Sequence, residues 1–242
     1  MSEKTSPDTV PGLGFKDKEK ALDTLKNLEG RDPDYQKLAI KGLIGRAKRT
    51  LTLTKAEDKL QNIKDALEVF EDWLKNFEKL NLGKENRPYL PLPSVQILST
   101  LKEKYGVGDK KTDAFIAAYQ SVGGDYKHLR TVSSGEGEPT WDIVRNAALK
   151  ELMNIIDDES PELWGDDELP TEEHLKIILW AYSPDASKIK KNILKFEEKL
   201  GKKEDSKRKH SSDSEQSEEE KGSKRRSSSS SDEESPKKKS KK

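Results

Sequence analysis

His128, His174 and His210 are the only imidazoles in a chain of 242 residues that contains no cysteine. Without thiolates there can be no disulfide and no sulfur-ligated zinc or iron–sulfur centre, and a nucleophile would have to be a hydroxyl or a carboxylate. One histidine on each of separate segments is not a metal-ligand spacing. His128, in Tyr126-Lys127-His128-Leu129-Arg130, and His174, in the first turn of a predicted helix, are expected as surface or capping residues. No glycine-framed serine elbow and no phosphate-binding loop occurs. The clusters Asp157-Asp158-Glu159 and Asp166-Asp167-Glu168 lack the glycine and ligand spacing of a calcium loop, so they read as solvated loop charge, with Trp164 between them folded back on the core. The expectation is a protein that is not an enzyme, with no cofactor, no metal and no small-molecule substrate.

The residues that can be modified or recognised lie at the C-terminal end. Lys238-Lys239-Ser240-Lys241 fits the lysine-lysine-any-lysine core of a nuclear localisation signal. Arg225-Arg226, ten residues, and then Lys237, Lys238, Lys239 and Lys241 also resemble its two-part version. Extended basic side chains in series suit the acidic pockets of a nuclear import receptor. Ser212, Ser217, Ser229, Ser230 and Ser231 each have an acid three residues on, the pattern of an acidophilic serine kinase site, and Ser235-Pro236 resembles a proline-directed one. Each phosphate adds about −1.5 to −2 charges, so two or three would reverse the sign of this segment.

The best local nucleic-acid patch is Arg46, Lys48 and Arg49 near the end of the second predicted helix, supported by Lys37 and Lys41 on an outer face. Cations there also complement the helix dipole. Tyr119-Gln120-Ser121-Val122-Gly123-Gly124, with Trp141 and Val144 downstream, faintly resembles the central turn of AT-rich-interaction DNA-binding domains. The loop between is too long and that family's later leucine-tyrosine pattern is missing, so no fold or residue role is carried over.

The elements that must hold these residues are helical. Ala21, Leu22, Leu25 and Leu28 share one face, ended by Gly30. Asp32-Pro33 caps a second helix on which Tyr35, Leu38, Ala39, Gly42, Leu43 and Ala47 face inward. Thr54 and Glu57 read as a capping box before the stripe Leu60, Ile63, Leu67, Phe70, Leu74 and Phe77, the spine of a bundle. After the proline-marked link around residues 84–93, helices are predicted from Ser94, Asp109, Thr140 and Thr171, with an exposed loop over 131–139. A last helix carries Ile189, Ile193, Phe196 and Leu200, with Gly201 as its stop. No segment alternates at period two long enough for a strand.

Hydrophobic residues are 31% and charged residues 38%, too polar for the whole chain to bury a core. The formal charge is zero, yet from Gly201 onward there are 14 Lys/Arg against 10 Asp/Glu, leaving the body mildly acidic. The organisation predicted is a loose arm over 1–14, an all-α domain over 15–200 of seven or eight helices with a possible subdomain boundary near 84–93, and a disordered tail over 201–242. No apolar run reaches the roughly 20 residues of a membrane span, and the first residues lack the apolar stretch of a secretory signal. The function expected is a nuclear interaction protein with an unidentified nuclear protein as partner; the alternative is a DNA- or RNA-associated protein using Lys41, Arg46, Lys48 and Arg49 with the basic tail.

Overall fold

The computed structural model describes the backbone of residues 9–208 and the side chains through Gly201. The described chain through Lys203 forms one compact all-α unit. Among the described residues it has nine helices: α1 (Lys18–Leu28), α2 (Pro33–Leu53), α3 (Glu57–Lys79), α4 (Leu92–Ser99), α5 (Lys102–Tyr105), α6 (Lys110–Ser121), α7 (Trp141–Glu159), α8 (Glu172–Ile178) and α9 (Ala186–Arg208). Two short 3-10 turns, Leu82–Glu85 and Tyr126–Arg130, join them. The only extended pairings among the described residues are two isolated bridges, Ser133 with Thr140 and Trp164 with Pro170. No helix among these residues is long and apolar enough to cross a membrane.

The apolar interior is divided at the proline link. In the first half α1 and α2 each pack along α3, where Ala21, Leu28, Ile40, Leu43, Ala66 and Phe70 close one core. In the second half α4 and α6 to α9 enclose a larger one around Leu98, Phe115, Leu129, Leu149, Ile178 and Phe196. Burying each of the leucine, isoleucine and phenylalanine side chains among them contributes about 1.5 to 3 kcal/mol, which helps hold each half together. The link itself is anchored: Leu90 N–H donates to the Ala181 carbonyl at 2.8 Å, and the Tyr119 hydroxyl donates to the Leu90 carbonyl at 3.1 Å.

Several local expectations change once the helices pack. Leu22 (51% exposed) and Leu38 (70%) face outward with Gly42, while Thr24 and Ile40 are buried. Thr24 can be buried because its hydroxyl accepts from Gly14 N–H and donates to the Gly14 carbonyl. The arm is therefore packed from Val10 onward, with Val10 N–H donating to the Tyr35 hydroxyl at 3.0 Å. Thr54 does not open α3; α2 runs on to Leu53 and takes Thr54 as its C-cap, leaving Ala56 at the α3 N-cap without a side-chain bond. Pro91 rather than Ser94 precedes α4, and α9 continues through Gly201.

α7 stays helical through Asp157-Asp158-Glu159 and ends where Ser160 turns left-handed, at φ 48°. A Cβ is strained there and glycine is not. Ser160→Gly is expected to stabilise the fold by about 0.5 kcal/mol net of glycine's larger unfolded-state entropy, seen as a higher urea midpoint at unchanged slope.

Candidate functional site

Five segments far apart in sequence meet between the two cores: the α1–α2 turn, the link, the Tyr126–Arg130 turn, the start of α7 and the end of α8. Gly30, left-handed at φ 75°, stops α1 and turns Arg31 and Asp32 inward, both nearly buried. Arg31 donates from Nη1 to Asp142 Oδ2 at 2.7 Å and to the Arg130 carbonyl at 3.1 Å. Asp142 is fully buried and also accepts from the Thr140 hydroxyl.

Arg145 is one turn further along α7 and has no exposed surface. Its Nε donates to the Trp180 carbonyl at 2.9 Å, its Nη2 to the carbonyls of Arg87 (2.8 Å) and Ala181 (3.3 Å), and its Nη1 to Asn146 Oδ1 (3.0 Å). Ala181 holds a left-handed φ of 53°, so one carbonyl there serves both Arg145 and Leu90. Asp32 Oδ1 lies 3.7 Å from Arg145 Nη1 and accepts from Asn146 at 3.2 Å. Asp32 stands at the α2 N-cap without making the side-chain cap bond, because its carboxylate faces the arginines instead. Burial holds that carboxyl above its usual range, against the opposing pull of Arg145.

Beside this cluster opens a cleft of about 320 Å³ lined by Asp32, Tyr35, Tyr89, Tyr126 and Arg130, with Asp34, Asn86, Arg87 and Pro88. Tyr89 is sandwiched: the Arg145 guanidinium lies 3.6 Å from its ring centroid and Tyr126 stacks against it at 4.8 Å. Arg130, 9% exposed, has its guanidinium carbon 3.9 Å from the Tyr35 ring centroid. Its nearest carboxylate is Asp32, at 4.0 Å. The Tyr89 hydroxyl and Arg130 Nε are buried with no hydrogen-bond partner among the described residues. Burial also pushes the Tyr89 hydroxyl far above the ordinary phenol range, so it stays a protonated donor. The cleft can bind and orient; it brings no nucleophile beside a base.

A serine and a histidine do meet elsewhere. His174 is fully buried, which corrects its expected surface or capping role. Thr171 caps α8 and turns the ring toward the preceding loop, where Nδ1 lies 2.7 Å from the Leu163 carbonyl and Nε2 2.9 Å from Ser183 Oγ. Nδ1 therefore donates, Nε2 accepts, and Ser183 Oγ in turn accepts from Asp185 N–H at 3.0 Å. With Ser183 only 3% exposed, the pair fastens the 160–171 loop to the α8–α9 turn and presents no nucleophile to a substrate. Trp164 folds back here, its Nε1 donating to Asp185 and its ring stacked on Phe196. Asp167 bonds Leu169 N–H and pairs with Lys104 at 3.2 Å, so the second acidic cluster is partly spent on its own loop. His128 sits half-exposed on its 3-10 turn, 4.0 Å from Asp125. No group of three metal-ligating side chains occurs among the described residues.

Lys41, Arg46, Lys48 and Arg49 all lie exposed on α2, but they are not equivalent. Lys48 pairs with Glu71 of α3 at 2.7 Å and Lys37 with Glu78 at 3.3 Å, which takes both out of the basic patch. Lys41, Arg46 and Arg49 make no ion pair among the described residues. They flank an outward stripe of Leu38, Gly42, Gly45 and Leu53, where a Cβ on either glycine would meet nothing within 4 Å. Arg225, Arg226, Lys237, Lys238, Lys239 and Lys241, and Ser212, Ser217, Ser229, Ser230, Ser231 and Ser235, lie outside the described residues. Composition and motif reading overlooked Arg31, Tyr89, Arg130, Asp142 and Arg145. One signal was available: Arg145 falls four residues from both Trp141 and Leu149, on the apolar face of α7. The chain matches no family model, no curated protein and no solved structure.

Proposed function

We propose that this is a non-enzymatic nuclear interaction protein, whose helical body docks a protein partner while the lysine-rich tail is read by an import receptor and tuned by serine phosphorylation. The observation that carries the docking part is the outward face of α2. Leu38 is 70% and Leu53 74% exposed at its two ends, and the glycine pair between them leaves the backbone open to close approach. Leucines are as exposed elsewhere, Leu194 at 75% and Leu80 at 66%, so the support for α2 is the bare glycine backbone between its two. The nuclear part rests on the motif at Lys238-Lys239-Ser240-Lys241 and its basic companion Arg225-Arg226.

A photo-crosslinking residue at Leu38 in nuclei is expected to trap a discrete protein band that survives nuclease and disappears when Leu53→Asp is added. Replacing Lys237, Lys238, Lys239 and Lys241 by alanine is expected to leave the protein in the cytoplasm; unchanged nuclear accumulation would remove the import reading.

The second reading is nucleic-acid association. It is favoured by the three cations Lys41, Arg46 and Arg49, which are not neutralised by α3. If it is right, the Leu38 crosslinks are to nucleic acid, and the affinity of the body falls steeply between 50 and 200 mM salt, as counterion release requires.

A further inference from the structure

We infer that the cleft lined by Tyr35, Tyr89, Tyr126 and Arg130 is a binding site for an oxyanion, a carboxylate or phosphate group presented by a ligand. The inference stands apart from the nuclear and docking reading and uses none of its residues. Three arginines and two aspartates meet between the two cores. Arg31 is matched by Asp142 at 2.7 Å, and Arg145 by Asp32 at 3.7 Å together with three backbone carbonyls. Arg130 is the third arginine and has no carboxylate of its own: Asp32, already held by Arg145 and Asn146, is 4.0 Å away. Arg130, nine-tenths removed from water, thus shares one carboxylate with Arg145 and is the more distant of the two from it.

The hydrogen-bonding groups point the same way. Both unpartnered atoms, the Tyr89 hydroxyl and Arg130 Nε, belong to residues that line the same cleft, and both can donate. A buried donor left unmet costs more than an ordinary hydrogen bond contributes, and the cost is higher on a charged group. The carboxylates of the cleft each have a partner: Asp34 accepts from the Asn86 side chain at 2.7 Å, and Asp32 from Asn146 at 3.2 Å. Two unmet donors, one of them on a guanidinium, select an acceptor that carries negative charge, and guanidinium recognises oxyanions in this way. Contacts of Arg130 with Tyr35 and of Tyr89 with Arg145 and Tyr126 hold both side chains at the cleft, each donor atom lying just beneath its surface, where a ligand reaches it after a small side-chain shift. At about 320 Å³ the cleft has room for the group and for part of what carries it.

The test is calorimetric titration of the full chain with sodium phosphate, O-phosphoserine and sodium acetate, against sodium chloride and tetramethylammonium chloride at matched ionic strength. Saturable one-to-one binding of at least one oxyanion is expected, with none for the two controls. Tighter binding of O-phosphoserine than of phosphate assigns the source to a phosphorylated chain, phosphate alone to the free ion, and acetate to a carboxylate side chain. Tyr89→Phe, which removes only the hydroxyl and keeps the sandwiched ring, is expected to weaken binding about tenfold, the equivalent of one hydrogen bond to a charged acceptor. Arg130→Lys keeps the charge but loses Nε and the planar guanidinium, and is expected to weaken it further. The site is refuted if no oxyanion saturates, if affinity is unchanged in both variants, or if tetramethylammonium binds instead.

Discussion

Arg145→Met is expected to lower the free energy of unfolding by about 3 to 5 kcal/mol, the range found when one member of a buried ion pair is removed. The methionine fills much of the volume but donates nothing. Three carbonyls, those of Arg87, Trp180 and Ala181, lose the donor that reaches them, and Asp32 loses its closest cation. Those carbonyls belong to the link and to the turn after α8, so the loss falls where the two cores are joined. Urea titration followed by tryptophan fluorescence measures it. Asp32→Asn added to Arg145→Met is expected to recover part of the loss, because the uncompensated carboxylate is then gone; a double-mutant cycle isolates that coupling. If Arg145→Met unfolds at the wild-type midpoint, the cluster is not what ties the halves together.

Acid should destabilise the fold through His174. Burial pushes its imidazole down from 6.5 to about 4, outweighing the bond to the Leu163 carbonyl, which acts in the opposite direction. Between those two pH values the unfolded chain binds a proton that the native state excludes. The contribution of neutral His174 is therefore complete above about pH 6.5 and is lost as pH falls toward 4, below which it changes no further. At 1.36 kcal/mol per pH unit the total is about 3 kcal/mol. His174→Leu is expected to flatten the stability profile across this window while lowering its plateau, since the bonds to Leu163 and Ser183 go with the ring. A profile as steep in His174→Leu as in the parent would place the proton elsewhere.

The arginine cluster and the α2 face are separate features of the same molecule. The cluster lies between the cores and lines up with the cleft, so substitutions at Arg145 are expected to act on folding and those at Tyr89 on the proposed binding. The α2 face is backed by Ile40, Leu43 and Ala47, which are buried on its opposite side. Changes at Leu38 or Leu53 should accordingly leave stability almost untouched, as surface substitutions usually do.

The helices themselves were legible from local pattern. Ile63, Phe70 and Phe77 fall on the buried face of α3 where their spacing puts them, and Asp109 caps α6 with Thr112 as its partner in a capping box. Which side of a marginal stripe turns inward was not legible. Leu38 and Ile40 are both apolar, and only the position of α3 decides that Ile40 is buried and Leu38 is not. Thr54 and Glu57 have capping-box spacing, yet α2 ran long enough to use Thr54 as its own end. By itself the sequence determined an all-α body, the absence of thiol chemistry, and a basic, serine-acidic tail, because these depend on composition and on intervals of three or four residues. Tertiary structure alone decided that Arg31, Arg130, Asp142 and Arg145 converge, that Tyr89 is held among them, and that His174 is buried. Arg31 meets the Arg130 carbonyl across 99 residues and Asp142 across 111, separations at which no local periodicity carries information and only the packing of two cores can choose the neighbour.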